Sequence, residues 1–436
     1  MTAAIYNIGR GELIKVIMIN IGVFGARRGG AVAEHCIASG KAKVVAVCDR
    51  DDDALNELKR KYGDAMTYYK DFDTFIGHGM DAVVLANSAH MHAPYAVRCL
   101  DAGLNVFSEV LPCQCMAEAV ALVEAVERSG KKYVYGENYC YMPSTREMRK
   151  LYTSGALGEF EYGEGEYLHN CESVWADLTY GDREHWRNAV LYATFYCTHS
   201  LGPIVHITGL RPVKVTGYEL PFTDKCARMG RRSGIAGIEM VEMENGGIVR
   251  SVHGDLNKGS VMYRVYGSKG RAESAQEEAR TGGARRIYVN VDSEEGANDD
   301  NPSTYLPDDE YGADDGGHVG ADRCIVNNFI AAVSGEQSDV IDVYEALDMF
   351  LPGLFAWFSV LDGGRPQTLP NLRDRAERDK WRNDFRCTDK SVARDRALPT
   401  YSKCVIDIPD EVYVGIKNKY IEKVQSVRRN NDENKN

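Results

Sequence analysis

Between residues 13 and 140 the chain repeats one unit: a short apolar strand, a turn, a helix pattern and another strand. Few folds accommodate that repeat. Parallel neighbours need helical crossovers, and those helices bury the strands on both faces. Leu13–Ile21 is such a near-continuous apolar run. Strands are predicted at Val44–Cys48, Ala82–Ala86, Asn105–Ser108 and Tyr133–Tyr135. Helices are predicted at Ala31–Ser39, closed by Gly40, and at Leu55–Tyr62, Phe72–His78, His92–Ala102 and Met116–Ser129. The fold class this predicts is α/β, a doubly wound parallel sheet.

After about residue 145 the texture changes. Alternating strands follow a helix at Ser144–Ser154: Phe160–Leu168, Val213–Tyr218, Gly237–Glu244, Ile248–Val252, Val261–Tyr266 and Arg286–Val291. Turn signals such as Asn245-Gly246 and Ser268-Lys269-Gly270 join some of them. Helices return at Ala321–Val333 and Val343–Leu361. The pattern predicts a second, α+β domain with an open, mostly antiparallel sheet. The acidic stretch Ser293–Gly317 reads as a solvated loop, with a lid over a site as the other reading. Ser426–Asn436 reads as a frayed polar tail.

Composition narrows the partners. The 436 residues carry 64 acidic and 52 basic side chains, a net charge of −12. That balance argues against nucleic acid, whose phosphates are bound by Lys and Arg. The most apolar early segment, Leu13–Phe24, carries Lys15 and Asn20 and falls short of the ~20 residues a membrane span needs. The N-terminus has no basic stretch followed by an apolar run. A cytoplasmic protein with no membrane partner is expected. The twelve cysteines are scattered, and Cys113-Gln-Cys115 has no His at zinc-finger spacing. They read as buried hydrophobes in a reducing compartment, with no metal site.

The turn after the first strand is glycine-rich: Gly22-Val-Phe-Gly25-Ala-Arg-Arg-Gly29-Gly30. Between a strand and a helix, such a turn brings backbone N–H groups and a helix N-terminus against a pyrophosphate. Its spacing departs from G-x-G-x-x-G, but its context is the required one. Asp49 ends the second strand, where a carboxylate accepts hydrogen bonds from both ribose hydroxyls and repels a 2′-phosphate. NAD is therefore expected rather than NADP, with Arg50 beside it keeping NADP open.

Three further segments resemble the Gfo/Idh/MocA oxidoreductase family. They are Asp81-Ala-Val-Val-Leu-Ala-Asn87-Ser-Ala-His90-Met-His92, Gly103-Leu-Asn-Val-Phe-Ser-Glu109-Val-Leu-Pro112 and Asp342-Val-Tyr344-Glu-Ala346-Leu. The resemblance covers residues 13–370 and implies an NAD-binding Rossmann domain (13–142), a substrate and oligomerisation domain (143–370) and a C-terminal extension (371–436). It adds Asn87, His92 and Glu109 to Gly22, Gly25, Gly29, Asp49 and Arg50 as cofactor-binding residues. It implies oxidation or reduction of sugar or cyclitol hydroxyls, and a homo-oligomer of at least two copies. Two departures stand out. The family's lysine after the glutamate falls at Val110, and the aspartate four positions before its catalytic histidine falls at Phe195.

The histidine itself remains, in Tyr196-Cys-Thr-His199-Ser-Leu-Gly-Pro203. With Gly136-Glu137-Asn138-Tyr139 and Glu164-Gly-Glu-Tyr167-Leu-His169, it resembles the NAD-dependent glycosidase branch of the family, of the α-N-acetylgalactosaminidase type. Leu168 for Ile and Phe195 for Leu are mild departures. The resemblance implies that Glu137, Tyr167, Tyr196 and His199 line the reacting sugar as catalytic residues. It also implies that Trp186, Arg187 and His318 bind substrate. Tyr196 and His199, three apart, are expected on one face of a helix. Either a Tyr or a His can accept a hydroxyl proton near neutral pH. Three functions stay open: an NAD-dependent oxidoreductase that oxidises the 3-hydroxyl of a sugar or glycoside and continues to redox-neutral cleavage, a plain sugar or cyclitol dehydrogenase releasing NADH, and a non-catalytic NAD-binding sensor.

Overall fold

The computed structural model describes residues 2–7, 13–274, 285–294, 296–309 and 318–433. Its first layer is a sheet of β1 (Thr2–Asn7), β2 (Leu13–Phe24), β3 (Ala42–Cys48), β4 (Thr67–Tyr69), β5 (Ala82–Leu85), β6 (Asn105–Ser108) and β7 (Tyr133–Tyr135). The order is β4-β3-β2-β5-β6-β7, with every neighbour parallel. The order reverses between β2 and β5, which opens a crevice at their carboxyl ends where ligands of such sheets bind.

β1 lies outside the expected domain boundary at residue 13. It pairs antiparallel with the first half of β2, Thr2 against Met18 to Asn7 against Leu13. The reason is length. β2 has twelve residues, and β3 and β5 pair only with its second half, from Ile19 and Ile21 onward. The backbone groups of the first half need a partner, and β1 supplies it.

The second sheet is built from β8 (Phe160–Leu168), β9 (Pro212–Glu219), β10 (Ala236–Met243), β11 (Ile248–Gly254), β12 (Ser260–Gly267), β13 (Gly270–Ser274), β14 (Ile287–Val291), β15 (Ser303–Tyr305) and β16 (Gln367–Thr368). The order is β15-β14-β13-β12-β8-β11-β10-β9-β16, antiparallel throughout except for β8 against β11. β15 falls within the stretch expected to be a loop. It pairs with β14 as an edge strand, while 310–317 lie outside the described residues.

Two helices cover one face of this sheet. Thr198–Thr208 lies across β8, β11 and β12, and Val343–Leu361 lies on β9. The first comes so close that a side chain on Gly165 would put Cβ 1.7 Å from the Ser200 carbonyl oxygen. The alternation Glu164-Gly165-Glu166 in β8 is thus the space that seats the helix carrying His199. Val343–Leu361 is the one helix among the described residues long and apolar enough to cross a membrane, and it is packed in the core with Phe350, Leu354 and Trp357 fully buried.

The C-terminal segment is not a frayed tail up to residue 433. Asp410–Glu433 forms a helix. Val412, Tyr413 and Ile416 recur at helical spacing, and Ile416 packs with Trp175 and Met229.

Candidate active site

The crevice begins at Gly25. Its φ of 99° and its contact with the next strand both require glycine, since a Cβ would lie 2.4 Å from the Ala86 carbonyl group. Gly29 brings the following helix, Ala26–Ala38, onto β2, where a Cβ would meet Val23 at 2.5 Å. Gly22 lies elsewhere. It sits inside β2, paired with Ala46 and Val83, and makes room for Phe75 and Met80. The turn therefore belongs to Gly25 and Gly29, and Gly22 serves packing.

Asp49 stands at the mouth of the turn. Its Oδ2 accepts from Ala26 N–H at 2.6 Å and its Oδ1 from Asp51 N–H at 2.9 Å. Each carboxylate oxygen can accept a further bond, so ribose hydroxyls remain compatible. Arg50 is exposed. The neighbouring Arg27 pairs with Asp51, donates to the Tyr420 hydroxyl at 3.0 Å and lies over the Tyr180 ring.

Asn87 follows β5 beside Gly25, and its Oδ1 is buried with no hydrogen-bond partner. That orphaned acceptor and the Gly25 cradle are what a dinucleotide would fill. His92 is not part of that surface. It is buried, with ring nitrogens 3.0 Å from the Leu111 carbonyl oxygen and 3.1 Å from that of Asn87. Burial lowers its pKa to about 4, so the ring is neutral and only one of these contacts carries a proton. Its place is behind the turn, where it holds the Asn87 loop.

Between the crevice and the second domain lies a charged cluster in which the sequence marked Glu109 and His318 but not Arg28 or Asp322. The Arg28 guanidinium bonds Glu109 at 2.8 Å and both oxygens of Asp322, at 2.9 and 3.1 Å. Asn138 donates to Asp322 Oδ1 at 2.7 Å, and His318 Nδ1 lies 3.1 Å from Oδ2. Burial alone would raise the Asp322 pKa, but the bonds from His318 and Arg28 hold it far below the usual carboxylate range. Burial pushes Glu109 up, with Arg28 opposing it. Val110, at the position of the family lysine, is a buried apolar side chain.

Next to this cluster is the predicted histidine. His199 Nδ1 is 2.7 Å from Glu137 Oε1. Glu137 Oε2 accepts from the Thr198 hydroxyl at 2.8 Å, and its Oε1 also accepts the Tyr139 N–H at 3.3 Å. Fully buried and fully bonded, Glu137 orients the imidazole and leaves Nε2 as the free ring nitrogen. It is a positioning residue rather than a group that meets substrate.

Aromatic rings enclose the imidazole. Tyr139 and Tyr167 lie 4.7 Å from it between centroids, and Tyr196 lies 5.0 Å away. Tyr196 does not share a helix with His199, because the helix starts at Thr198. The turn before the helix still brings the two rings together. Trp186 stacks on Tyr196, and the Arg187 guanidinium lies 4.3 Å from the Trp186 ring centre. His318 packs its edge on Tyr139. Burial pushes the Tyr167 and Tyr196 hydroxyls above their ordinary pKa, so both are protonated near neutral pH. The Tyr167 hydroxyl is 2.9 Å from His169 Nδ1. The structure thus gathers Glu137, Tyr167, Trp186, Arg187, Tyr196, His199 and His318 into one site and adds Tyr139, Arg28, Asn138 and Asp322. Tyr139 stood inside the Glu137-Asn-Tyr segment. Nothing local marked Arg28 or Asp322.

A doubly wound sheet with a glycine turn and an acid after its second strand, joined to an open sheet that presents an oriented histidine, defines a two-domain dinucleotide oxidoreductase. Residues 14–137 match the Gfo/Idh/MocA family, described as an oxidoreductase family with an NAD-binding Rossmann fold. The chain is 26% identical over 410 residues to a Glycosyl hydrolase family 109 protein of Streptomyces coelicolor, covering 84% of each chain. Among solved structures, myo-inositol 2-dehydrogenase from Lactobacillus plantarum superposes with a TM-score of 0.64 at 19% identity, over 80% of this chain and 99% of that one. A levoglucosan dehydrogenase in complex with NADH and levoglucosan gives 0.65 at 15% identity, over 81% of this chain and all of that one. These two likenesses are of fold.

Proposed function

We propose that the protein is an NAD-dependent oxidoreductase of sugars or glycosides that oxidises the 3-hydroxyl and continues to redox-neutral cleavage of the glycosidic bond. The observation that carries this reading is the Glu137–His199 pair, set among tyrosines beside the dinucleotide crevice. Gly25, Asp49 and Asn87 would hold NAD, which would supply a hydride acceptor. His199 Nε2 takes the proton of the hydroxyl being oxidised, as Glu137 holds the other nitrogen. The protonated Tyr196 hydroxyl donates a hydrogen bond that fixes that hydroxyl. With Val110 at the lysine position, no ammonium shares the task.

Cleavage needs a second base, because a ketone at carbon 3 acidifies the proton on carbon 2 and its removal expels the glycosidic oxygen; addition of water across carbons 1 and 2 and return of the hydride to carbon 3 would complete a hydrolysis with no net oxidation. His169, whose pKa burial lowers, is the candidate base, acting through the protonated Tyr167 hydroxyl, which gives its proton to His169 Nδ1 at 2.9 Å as it takes that of carbon 2. Arg187 and Trp186 form the wall against which the ring rests. The family 109 name of the curated relatives, along most of the chain, supports the same reading.

The test is a panel of aryl glycosides with and without added NAD, following NADH and phenol together. Phenol without accumulating NADH is the expected result. Stoichiometric NADH would make the protein a plain dehydrogenase, and neither product would make it a sensor.

A further inference from the structure

Beyond the reacting centre, a cavity of about 150 Å³ lies at the ends of β8 and β11. Tyr167 and Tyr196 form one wall of it, while His199 and Glu137 do not line it. Trp175, Tyr192, His253, Arg187 and the Arg231–Asp255 ion pair also line it, His253 standing beside Tyr167 on the neighbouring strand. The cavity therefore adjoins the reacting centre through the tyrosine pair.

Two residues of this lining carry a polar atom without a hydrogen-bond partner: Tyr192 at Oη and His253 at Nε2. Both residues are almost wholly buried, at 1% and 2% exposure. Each is rigidly placed. Tyr192 stacks on Trp357 at 5.2 Å, and His253 turns its Nδ1 toward Ser200 Oγ at 3.4 Å and Glu239 Oε1 at 3.5 Å. Among the other polar groups of the lining, the Arg187 guanidinium lies over the Trp186 and Tyr196 rings, and Arg231 and Asp255 are already bonded. Arg231 donates to Ser233 and Asp255, and Asp255 accepts the Cys171 N–H. Buried polar groups are rarely left unpaired. Tyr192 and His253 are thus built for something the chain itself does not provide.

We propose that this cavity is a second subsite, which takes a hydroxylated ring attached through the glycosidic oxygen of the reacting sugar, and that Tyr192 and His253 determine its specificity. The inference rests on the reading of the protein as a glycoside-processing enzyme. Size limits the occupant to one ring: a cavity of about 150 Å³ holds a benzene. Chemistry supports a sugar ring. Trp175 and Tyr196 give apolar surface for its C–H face, and a hydroxyl can donate to His253 Nε2 and accept from Tyr192 Oη. A plain aromatic aglycone would fill the space and leave both atoms unpaired.

The test uses the full chain loaded with NAD and three probes sharing one non-reducing sugar: its methyl glycoside, its 4-nitrophenyl glycoside and a disaccharide. Both kcat/KM and calorimetric Kd are measured. The expected result is tightest binding of the disaccharide. Tyr192→Phe, which keeps the stack on Trp357, should weaken the disaccharide by roughly two- to tenfold, the worth of one hydrogen bond, and leave the methyl glycoside unchanged. His253→Gln should do the same. Equal losses on the methyl glycoside would make the cavity the reacting ring's own site and overturn the proposal. An unchanged disaccharide affinity in both variants, or a 4-nitrophenyl glycoside that binds as tightly as the disaccharide, would also overturn it. If no probe is turned over while the disaccharide preference and its loss in Tyr192→Phe persist in calorimetry, the subsite stands and the catalytic reading falls.

Discussion

His199 is held on one edge by Glu137 and enclosed by three tyrosine rings, so its remaining nitrogen has one direction in which to work. Losing a positioned base costs about 10²–10⁴ in rate. His199→Ala is expected to lose turnover by that factor while NAD affinity, measured by fluorescence titration, stays unchanged, because the cofactor crevice belongs to the other domain. Tyr196→Phe should cost less, since a hydrogen bond is lost rather than the base. At the crevice, Asp49→Ala should weaken NAD more than NADP, and the native protein should prefer NAD. Dissociation constants showing NADP tighter would remove the ribose assignment. Glu137, Tyr167, Tyr196 and His199 could be found in the chain because they stand in short segments of definite pattern. Arg28 and Asp322 could not. They are 294 positions apart, and each looks like an ordinary surface charge until the fold joins them.

At the level of elements, the helix Thr198–Thr208 carries the site at its first turn and is fastened at its last. His206 Nδ1 is 2.7 Å from Glu345, and its Nε2 is 3.6 Å from Asp339. Burial opposes the charge on this imidazole, but the bonds to Asp339 and Glu345 prevail and raise its pKa above 6.5. A folded pKa above the unfolded one means that the pair stabilises fully below about pH 6.5 and fades as pH rises through the folded value. Urea midpoints should therefore fall between about pH 6 and pH 9, and fall less in His206→Gln. A flat native profile would show the pair to be neutral. The doubly wound sheet was legible from its apolar runs, whose burial on both faces leaves a plain signature. β1 and the parallel pairing of β8 with β11 were not, because strand partners are chosen by long-range register and not by local pattern.

At the scale of the molecule, the helices take one face of the second sheet and leave the other open. That open face combines a charged ladder, Glu164 with Arg250 and Arg264, with exposed Tyr218 and Met240. We propose that a second copy covers it, as a symmetric pair would present the same strands to each other. Light scattering at micromolar concentration should give at least twice the chain mass, and a monomer would count against it. The last helix ties the molecule together in another way. Tyr413 bonds the Gly230 carbonyl, Ile416 enters the cluster of Trp175 and Met229, and Tyr420 reaches back across the chain to Arg27 of the nucleotide domain. Chains of more than one domain commonly depart from a single two-state transition. Here the final helix belongs to both, so neither can loosen without straining the other. Because the Arg28–Asp322 pair and a core shared by Phe107 and Phe329 join the domains as well, one calorimetric transition is expected for the whole chain, and removing residues 407–436 should lower its midpoint without dividing it, a clasp lost rather than a seam opened.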